Sequence, residues 1–391
     1  MKNRFIRAIF TNPFNIVKIL SLNLKMLLLR LQGKKTIVYN IQMDYFYNTF
    51  EPIYLELQKN KKIVVYFAYY EDSQRLHEFL NTFLSSKYLI SSMISPFIWF
   101  DMFITAEING PNFPVSFLPT CKIQLYHGTG VYPLYNKTDV LSRFNVHFAV
   151  GPQLVEFLKT LPHKNKNQNN YVEVGFPKLD AICHPDPELV NELKKQYNIL
   201  NEFVILYAPH WNPNGSLHVL SLEMIARLAK LENVMILIKV HNFLYTRFKE
   251  DNWQEKLQKF ADKYDNVVYV TRPNTQENFP LGDMMVTDTG TTAAFEFSIT
   301  KKPVFVFFNQ QWFDNNENSE VEKQIIDTTI NFTTIDEIVD YTRKVQNGNA
   351  EMQKEIEVQQ LKQQQLVDKY LFNPGTATEA AVTAIKKEIG Y

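Results

Sequence analysis

The sequence predicts an α/β fold of two doubly wound parallel-sheet halves, each with its own core. Three observations lead there. The chain has 391 residues, more than the roughly 150 of one ordinary domain. From Thr36 onward, short β-branched and aromatic runs alternate with helical stretches, as in a mostly parallel sheet covered on both faces. That alternation restarts beyond a polar region around 181–201, where Pro185 and Pro187 open a charged helix.

The N-terminal segment, 1–35, precedes both halves. Ahead of the first acidic residue, Asp44, it carries Lys2, Arg4, Arg7, Lys18, Lys25, Arg30, Lys34 and Lys35. On a helical wheel Leu20, Leu24, Leu27, Leu28 and Leu31 gather on one side, with Lys18 and Lys25 roughly opposite. This predicts a basic amphipathic helix in a membrane interface, its leucines in the acyl boundary and Lys18, Lys25 and Arg30 on anionic head groups. Packing on the protein's own core is the alternative for the same pattern. No apolar run approaches the roughly 18–20 residues of a spanning helix, and no small-residue cleavage site follows the segment.

The first half, 36–185, shows strand runs at 36–40, 62–68, 102–106, 122–126, 147–150 and 171–174, with helices at 72–84 and 153–161. The second, 186–391, shows buried strands at 203–207, 234–239, 267–271, 284–287 and 303–308, with helices near 220–231 and 253–264. The Gln-rich stretch 353–365 reads as a solvated helix, and the last helix as one that packs back on the first half.

Composition narrows the function. Lys plus Arg is 41 and Asp plus Glu is 41, so no global basic field exists to bind nucleic acid. Hydrophobic residues at 45% and charged residues at 21% describe a globular chain. Cys121 and Cys183 lie too far apart for a metal knuckle or redox pair, which fits a reducing, cytoplasmic setting.

Four polar motifs follow strand runs, where a doubly wound sheet presents its ligands. A strand enters His127, with Gly128 and Gly130 allowing close backbone approach. Another ends at Pro209, leaving His210, Trp211 and Asn212 at the strand mouth, and a third ends at Lys239 and His241. Imidazoles and a lysine suit phosphate oxygens. In the fourth, Asp288 closes a strand and Thr289, Gly290, Thr291 and Thr292 turn into a helix carrying Glu296. The helix start suits phosphate, the threonines add hydroxyls and Glu296 can accept from ribose; Asp288 or a threonine also caps the helix. No Asp-x-Asp pair, Gly-Lys-Ser/Thr loop, His-Glu-x-x-His site or Gly-x-Ser-x-Gly elbow is present, so no metal site is expected.

Read in order, His-Gly-Thr at 127–129, Gly-Phe-Pro-Lys-Leu-Asp at 175–180, Tyr-Ala-Pro at 207–209, His241, 288–296 with Lys302-Pro303 behind, and Asn-Pro-Gly-Thr-Ala at 373–377 resemble the CDP-glycerol glycerophosphotransferases. These are the teichoic-acid and capsule polymerases and primases of bacteria. The resemblance implies a GT-B fold, a nucleotide held mainly by the C-terminal domain, and peripheral attachment to the cytoplasmic face of the membrane. It implies His127 as catalytic base, His241 and the threonines after Asp288 on the pyrophosphate, and Glu296 on the ribose. Gly128, Lys178, His210, Asn212 and Lys239 complete the expected site. Lys178 and Leu179 stand where the family usually has Arg-Asn, Asn212 where it has arginine, and Gly290, Thr291 and Thr292 where it has Ser-Ser.

The expected function is transfer of a polyol phosphate, glycerol phosphate first, from a CDP-activated donor to a hydroxyl of a lipid-linked or polymeric cell-envelope glycan. His127 would deprotonate the acceptor, which attacks the donor's β-phosphorus and expels CMP, with no cofactor or metal. A UDP-sugar transferase or epimerase, and a non-catalytic membrane-associated nucleotide-binding protein, are the competing readings.

Overall fold

The computed structural model describes residues 12–41, 45–69, 74–106, 120–126, 128, 138–161, 170–272, 275–315 and 320–391. The chain divides into two compact units, 1–180 with 370–391, and 181–369.

The first unit holds β1 (Lys35–Ile41), β2 (Ile63–Tyr69), β3 (Leu89–Ser91), β4 (Met102–Thr105), β5 (Cys121–Gln124), β6 (Val146–Ala149) and β7 (Tyr171–Glu173), ordered β3-β2-β1-β4-β5-β6-β7. The second holds β8 (Phe203–Ala208), β9 (Val234–Ile238), β10 (Val267–Tyr269), β11 (Met284–Asp288), β12 (Val304–Phe307) and β13 (Ile330–Phe332), ordered β10-β9-β8-β11-β12-β13. Every neighbouring pair is parallel. From its own first strand each sheet runs 3-2-1-4-5-6, the doubly wound order, and the first adds a seventh strand. The strand runs read from the sequence do not include β3 and β13.

Alternation along β1 assigns the two faces of the first sheet. Ile37, Tyr39 and Ile41 pack with Phe46, Phe50 and Ile53 of the helix Tyr45–Leu57 and with Ala381 and Ile385 of the C-terminal helix Ala377–Glu388. Val38 faces the other way, with Tyr66, Phe103 and Met26 of the N-terminal helix Pro13–Leu31. In the second unit Ile205, Ile236, Val286 and Phe305 meet Met224, Leu257 and Ile338 from three surrounding helices. The expected helix near 220–231 is Ser221–Leu228, preceded by a separate short helix Ser216–Val219, with Ser221 at φ +56° between them.

The glutamine-rich stretch is helical and mostly exposed, as expected of a solvated helix, but one face of it is buried. It lies in the helix Ala350–Tyr370, where Gln359 and Gln363 are buried. Gln359 accepts from the Val304 amide at 3.2 Å and donates to the Val304 carbonyl at 2.6 Å, supplying bonds that the start of β12 otherwise lacks.

Two sequence motifs form one joint in the first unit. The Phe372 amide donates to the Val150 carbonyl at 2.8 Å, and the Asn373 side chain donates to the Glu173 and Val174 carbonyls at 2.8 and 3.2 Å. The Asp180 carboxylate accepts from the amides of Ala377 and Thr378 at 3.2 and 2.7 Å, capping the C-terminal helix. Gly175, at φ +90°, lies so close to the Phe372 carbonyl that no side chain fits.

The N-terminal helix is apolar on two opposite faces. Met26 is buried, and Ile19, Leu22 and Leu29 pack beside it on the core. Phe14, Val17, Leu20, Leu24, Leu27, Leu28 and Leu31 point outward, each at least half exposed. Lys18 and Lys25 are exposed, with Lys25 Nζ 5.2 Å above the Tyr66 ring. Arg30 departs from the expectation of an outward-facing cation. It pairs with Asp101 at 3.2 Å, donates to the Trp99 carbonyl at 2.8 Å and stacks 4.6 Å over the Trp99 ring, fixing the helix to its own unit. Among the described residues no helix is long and apolar enough to cross a membrane.

Candidate active site

β8 and β11 are neighbours from which successive connections leave to opposite sides, so a crevice opens at their carboxyl ends. Asp288 ends β11 and is buried there. One carboxylate oxygen accepts from the His210 amide at 2.6 Å and the other from the Ser216 amide at 2.9 Å. Gly215 passes so close that an added Cβ would sit 2.7 Å from Asp288 Oδ2. Burial pushes Asp288 up to about 6, against the lowering effect of the Ser216 and His210 bonds. Its carboxylate thus holds the loop 209–216 across the switch point. Capping of the helix Thr292–Ser298 falls to Thr291, whose hydroxyl oxygen accepts from the Ala293 amide at 3.1 Å.

His210 and His241 are held in the same way. His210 Nδ1 accepts from the Asn212 amide at 3.0 Å, and His241 Nδ1 accepts from the Phe243 amide at 3.0 Å. A ring nitrogen that accepts carries no proton, so both imidazoles place their N–H on Nε2. Burial first, and the neighbouring His241 second, lower His210 to about 4, so it is neutral at physiological pH. Ring contacts from His210 to Trp211, Trp211 to Phe243 and Phe243 to His241 show that the ends of β8 and β9 bring the two imidazoles into one cluster. Lys239, just past β9, is buried and donates from Nζ to the Arg272 carbonyl. Burial pulls it down to about 8, with Glu277 opposing the shift.

After Asp288, Gly290 takes φ +83°, a turn that favours glycine. Thr289 differs from its expected role as a hydroxyl donor: its Oγ1 donates to the Phe307 carbonyl at 3.0 Å, leaving only lone pairs for a ligand. Thr291 keeps its hydroxyl proton, and Thr292 opens the helix half-buried. Glu296 is buried and accepts from the Gln276 side chain. Asn212 bends the loop, its Oδ1 accepting from the Asn214 amide at 2.9 Å. His210, Asn212, Gly215, Asp288, Thr289 and Asn309 line a small pocket at this edge.

The family model for CDP-Glycerol:Poly(glycerophosphate) glycerophosphotransferases matches residues 162–370, more than half of the chain. The chain belongs to this family. It is a glycerophosphotransferase. No curated protein matches it by sequence. Among solved structures it resembles the wall teichoic acid polymerase TagF, at 17% identity over 99% of this chain and 98% of that one, with a TM-score of 0.66. It also resembles the UDP-GlcNAc 2-epimerase from Neisseria meningitidis, at 14% identity over 90% of this chain and 100% of that one, with a TM-score of 0.58. At these identities the likeness establishes the fold, which is GT-B.

The matched region covers the whole site just described. Other expected residues of the glycerophosphotransferase lie elsewhere. His127, the expected base, falls outside the described residues, as do 1–11 of the expected membrane segment. Gly128 and Lys178 belong to the first unit. A Cβ on Gly128 would meet open space, and Lys178 Nζ lies 5.9 Å over the Phe176 ring.

Sequence reasoning missed a polar row under the carboxyl edge of the first sheet. Asn40, Thr105, Gln124 and His147 are successive register partners across β1, β4, β5 and β6, and all are buried. Tyr126 Oη lies 2.8 Å from His147 Nδ1. The signal was present, since each residue is a polar interruption in an apolar strand, but only the register aligns them. Also missed were Gly215, Ser216 and Gln276, which shape the loop or hold Glu296.

Proposed function

We propose that the chain transfers glycerol phosphate from CDP-glycerol to a hydroxyl of a lipid-linked or polymeric cell-envelope glycan, releasing CMP at the cytoplasmic face of the membrane without a metal ion. The observation that carries the donor site is the pair of imidazoles, His210 and His241, each with Nδ1 accepting a backbone amide and Nε2 left as the N–H, beside Lys239 at one sheet edge. Two N–H donors and a cation suit a diphosphate whose bridging oxygen gains charge as the β-phosphorus is attacked. Thr291, Thr292 and the adjoining amides add donors, and Glu296 is the acceptor for ribose hydroxyls. His127 takes the proton of the acceptor hydroxyl, the new bond forms to the β-phosphorus, and the bond to the CMP oxygen breaks.

The test is a donor panel of CDP-glycerol, CDP-ribitol and UDP-sugars, following the nucleotide released. CMP from CDP-glycerol, retained in EDTA and reduced by about 10²–10⁴ in His127→Ala, is expected. Release of UDP, or CMP release by His127→Ala near the wild-type rate, overturns the reading.

The two shifted groups set a pH profile. Below about 6 Asp288 takes up a proton and ceases to accept from one of its two amides, and above about 8 Lys239 loses its charge. The kcat/KM for CDP-glycerol should peak near pH 7 and fall on the order of tenfold per unit beyond each limb. A flat profile from pH 5 to 9 contradicts this assignment.

Membrane attachment is proposed through the outward apolar face of the N-terminal helix, flanked by Lys18 and Lys25. Phe14, Leu20, Leu24, Leu27 and Leu28 lie on that face, opposite Met26. Leu24→Glu with Leu28→Glu should leave thermal stability unchanged, because both sites are exposed, and weaken binding to anionic liposomes at least tenfold. Undiminished liposome binding rejects the assignment.

A further inference from the structure

Arg247 is a basic group beside the two histidines that the function proposed above does not use. It ends the short helix Phe243–Arg247 and is exposed. Its guanidinium lies 4.3 Å over the Trp211 ring and 4.8 Å over the Phe243 ring. Those rings meet edge to face at 5.7 Å, and each also packs on a site histidine, Trp211 on His210 at 5.0 Å and Phe243 on His241 at 4.8 Å. The five side chains are therefore one contact cluster, with the two imidazole N–H groups and the guanidinium on it. Among the described residues no ion pair holds Arg247.

A guanidinium fixed by two aromatic faces loses little rotamer freedom on meeting an anion, and its N–H fork stays in the ring plane for bidentate binding.

We propose that Arg247 is a diphosphate clamp, a binding residue that grips phosphate oxygens from the side opposite the Thr291–Thr292 turn. This rests on the reading that His210 and His241 face the donor's diphosphate. The planar fork takes two oxygens of one phosphate, while the imidazoles donate to the bridge. Trp211 and Phe243 act on the guanidinium and touch no substrate, so they are positioning residues.

Calorimetric titration of the full chain with inorganic pyrophosphate, CDP, UDP and cytidine tests the clamp. Arg247→Ala should weaken pyrophosphate and CDP about tenfold to a hundredfold and leave cytidine unchanged. Arg247→Lys should recover part of the loss, because an ammonium cannot grip two oxygens at once. Arg247→Gln, which keeps the stem over Trp211, should behave like the alanine variant with a melting temperature near wild type. Pyrophosphate and CDP binding within twofold of wild type in Arg247→Ala and Arg247→Gln overturns the clamp, and so does a wild-type protein that binds neither. A wild-type protein that binds pyrophosphate through Arg247 but prefers UDP to CDP leaves the clamp standing and overturns the CDP-glycerol reading instead.

Discussion

Asp288→Asn is expected to lower kcat/KM for CDP-glycerol by two orders of magnitude or more and to melt the second unit earlier. The buried carboxylate accepts from the amides of His210 and Ser216 with separate oxygens. An asparagine can accept with only one, so its NH2 must face a backbone N–H. Each amide left without a partner costs about 1–3 kcal/mol, a drop of roughly 2–10 °C in a unit of this size. The kinetic loss is larger because the same loop carries His210, and a displacement near 1 Å at a catalytic group costs on the order of 10²-fold. Asp288→Ala orphans both amides and should be worse on both measures. Gly215 supports the argument, since a Cβ at that position would sit 2.7 Å from Asp288 Oδ2, so the loop comes this close to the carboxylate only as glycine. If Asp288→Asn turns over CDP-glycerol at the wild-type rate, the carboxylate does not position the site.

Gly151→Ala should be the most damaging single change in the first unit. The added methyl would overlap the carbonyl oxygen and carbon of Tyr370, which are backbone atoms with no rotamer to swing aside. Relief requires moving 370–372, and with them the bond from the Phe372 amide to the Val150 carbonyl. The helix that follows loses its seat. Val382, Ile385 and Ile389 lie in the core of the first unit, and burying an aliphatic side chain is worth about 1.5–3 kcal/mol. A loss of several kcal/mol follows, read as a fall of about 10 °C or more in the first unit's calorimetric transition. The second unit's transition should not move. Deleting 372–391 should reproduce the effect, and a Gly151→Ala protein that melts like wild type refutes the joint.

This joint illustrates what was legible in sequence. Gly175 to Asp180 and Asn373 to Ala377 stand out as motifs through their glycines, prolines and acids. That they are two sides of one contact, Asp180 capping the helix begun at Ala377, is a fact of folding across nearly 200 residues. The same division holds at Asp288. Its place at a strand end was readable, whereas its partners were not: the acid serves the loop after β8, and Thr291 caps the helix that Asp288 precedes.

The sequence by itself determined the two α/β halves and the strand ends that carry His210, Lys239, His241 and Asp288. These follow from local rules, because burial on both faces demands continuous apolar runs and polar residues mark where a run ends. It also showed a leucine-rich helix ahead of the first sheet. Only the tertiary structure decided which apolar face of that helix meets the core, seating Met26 and turning Leu24 and Leu28 outward. It alone gathered His210, Trp211, Phe243, His241 and Arg247, and aligned Asn40 with Thr105, Gln124 and His147. The physical reason is the same in each case. Periodicity constrains neighbours along the chain, whereas register and packing between strands set which distant side chains share one environment.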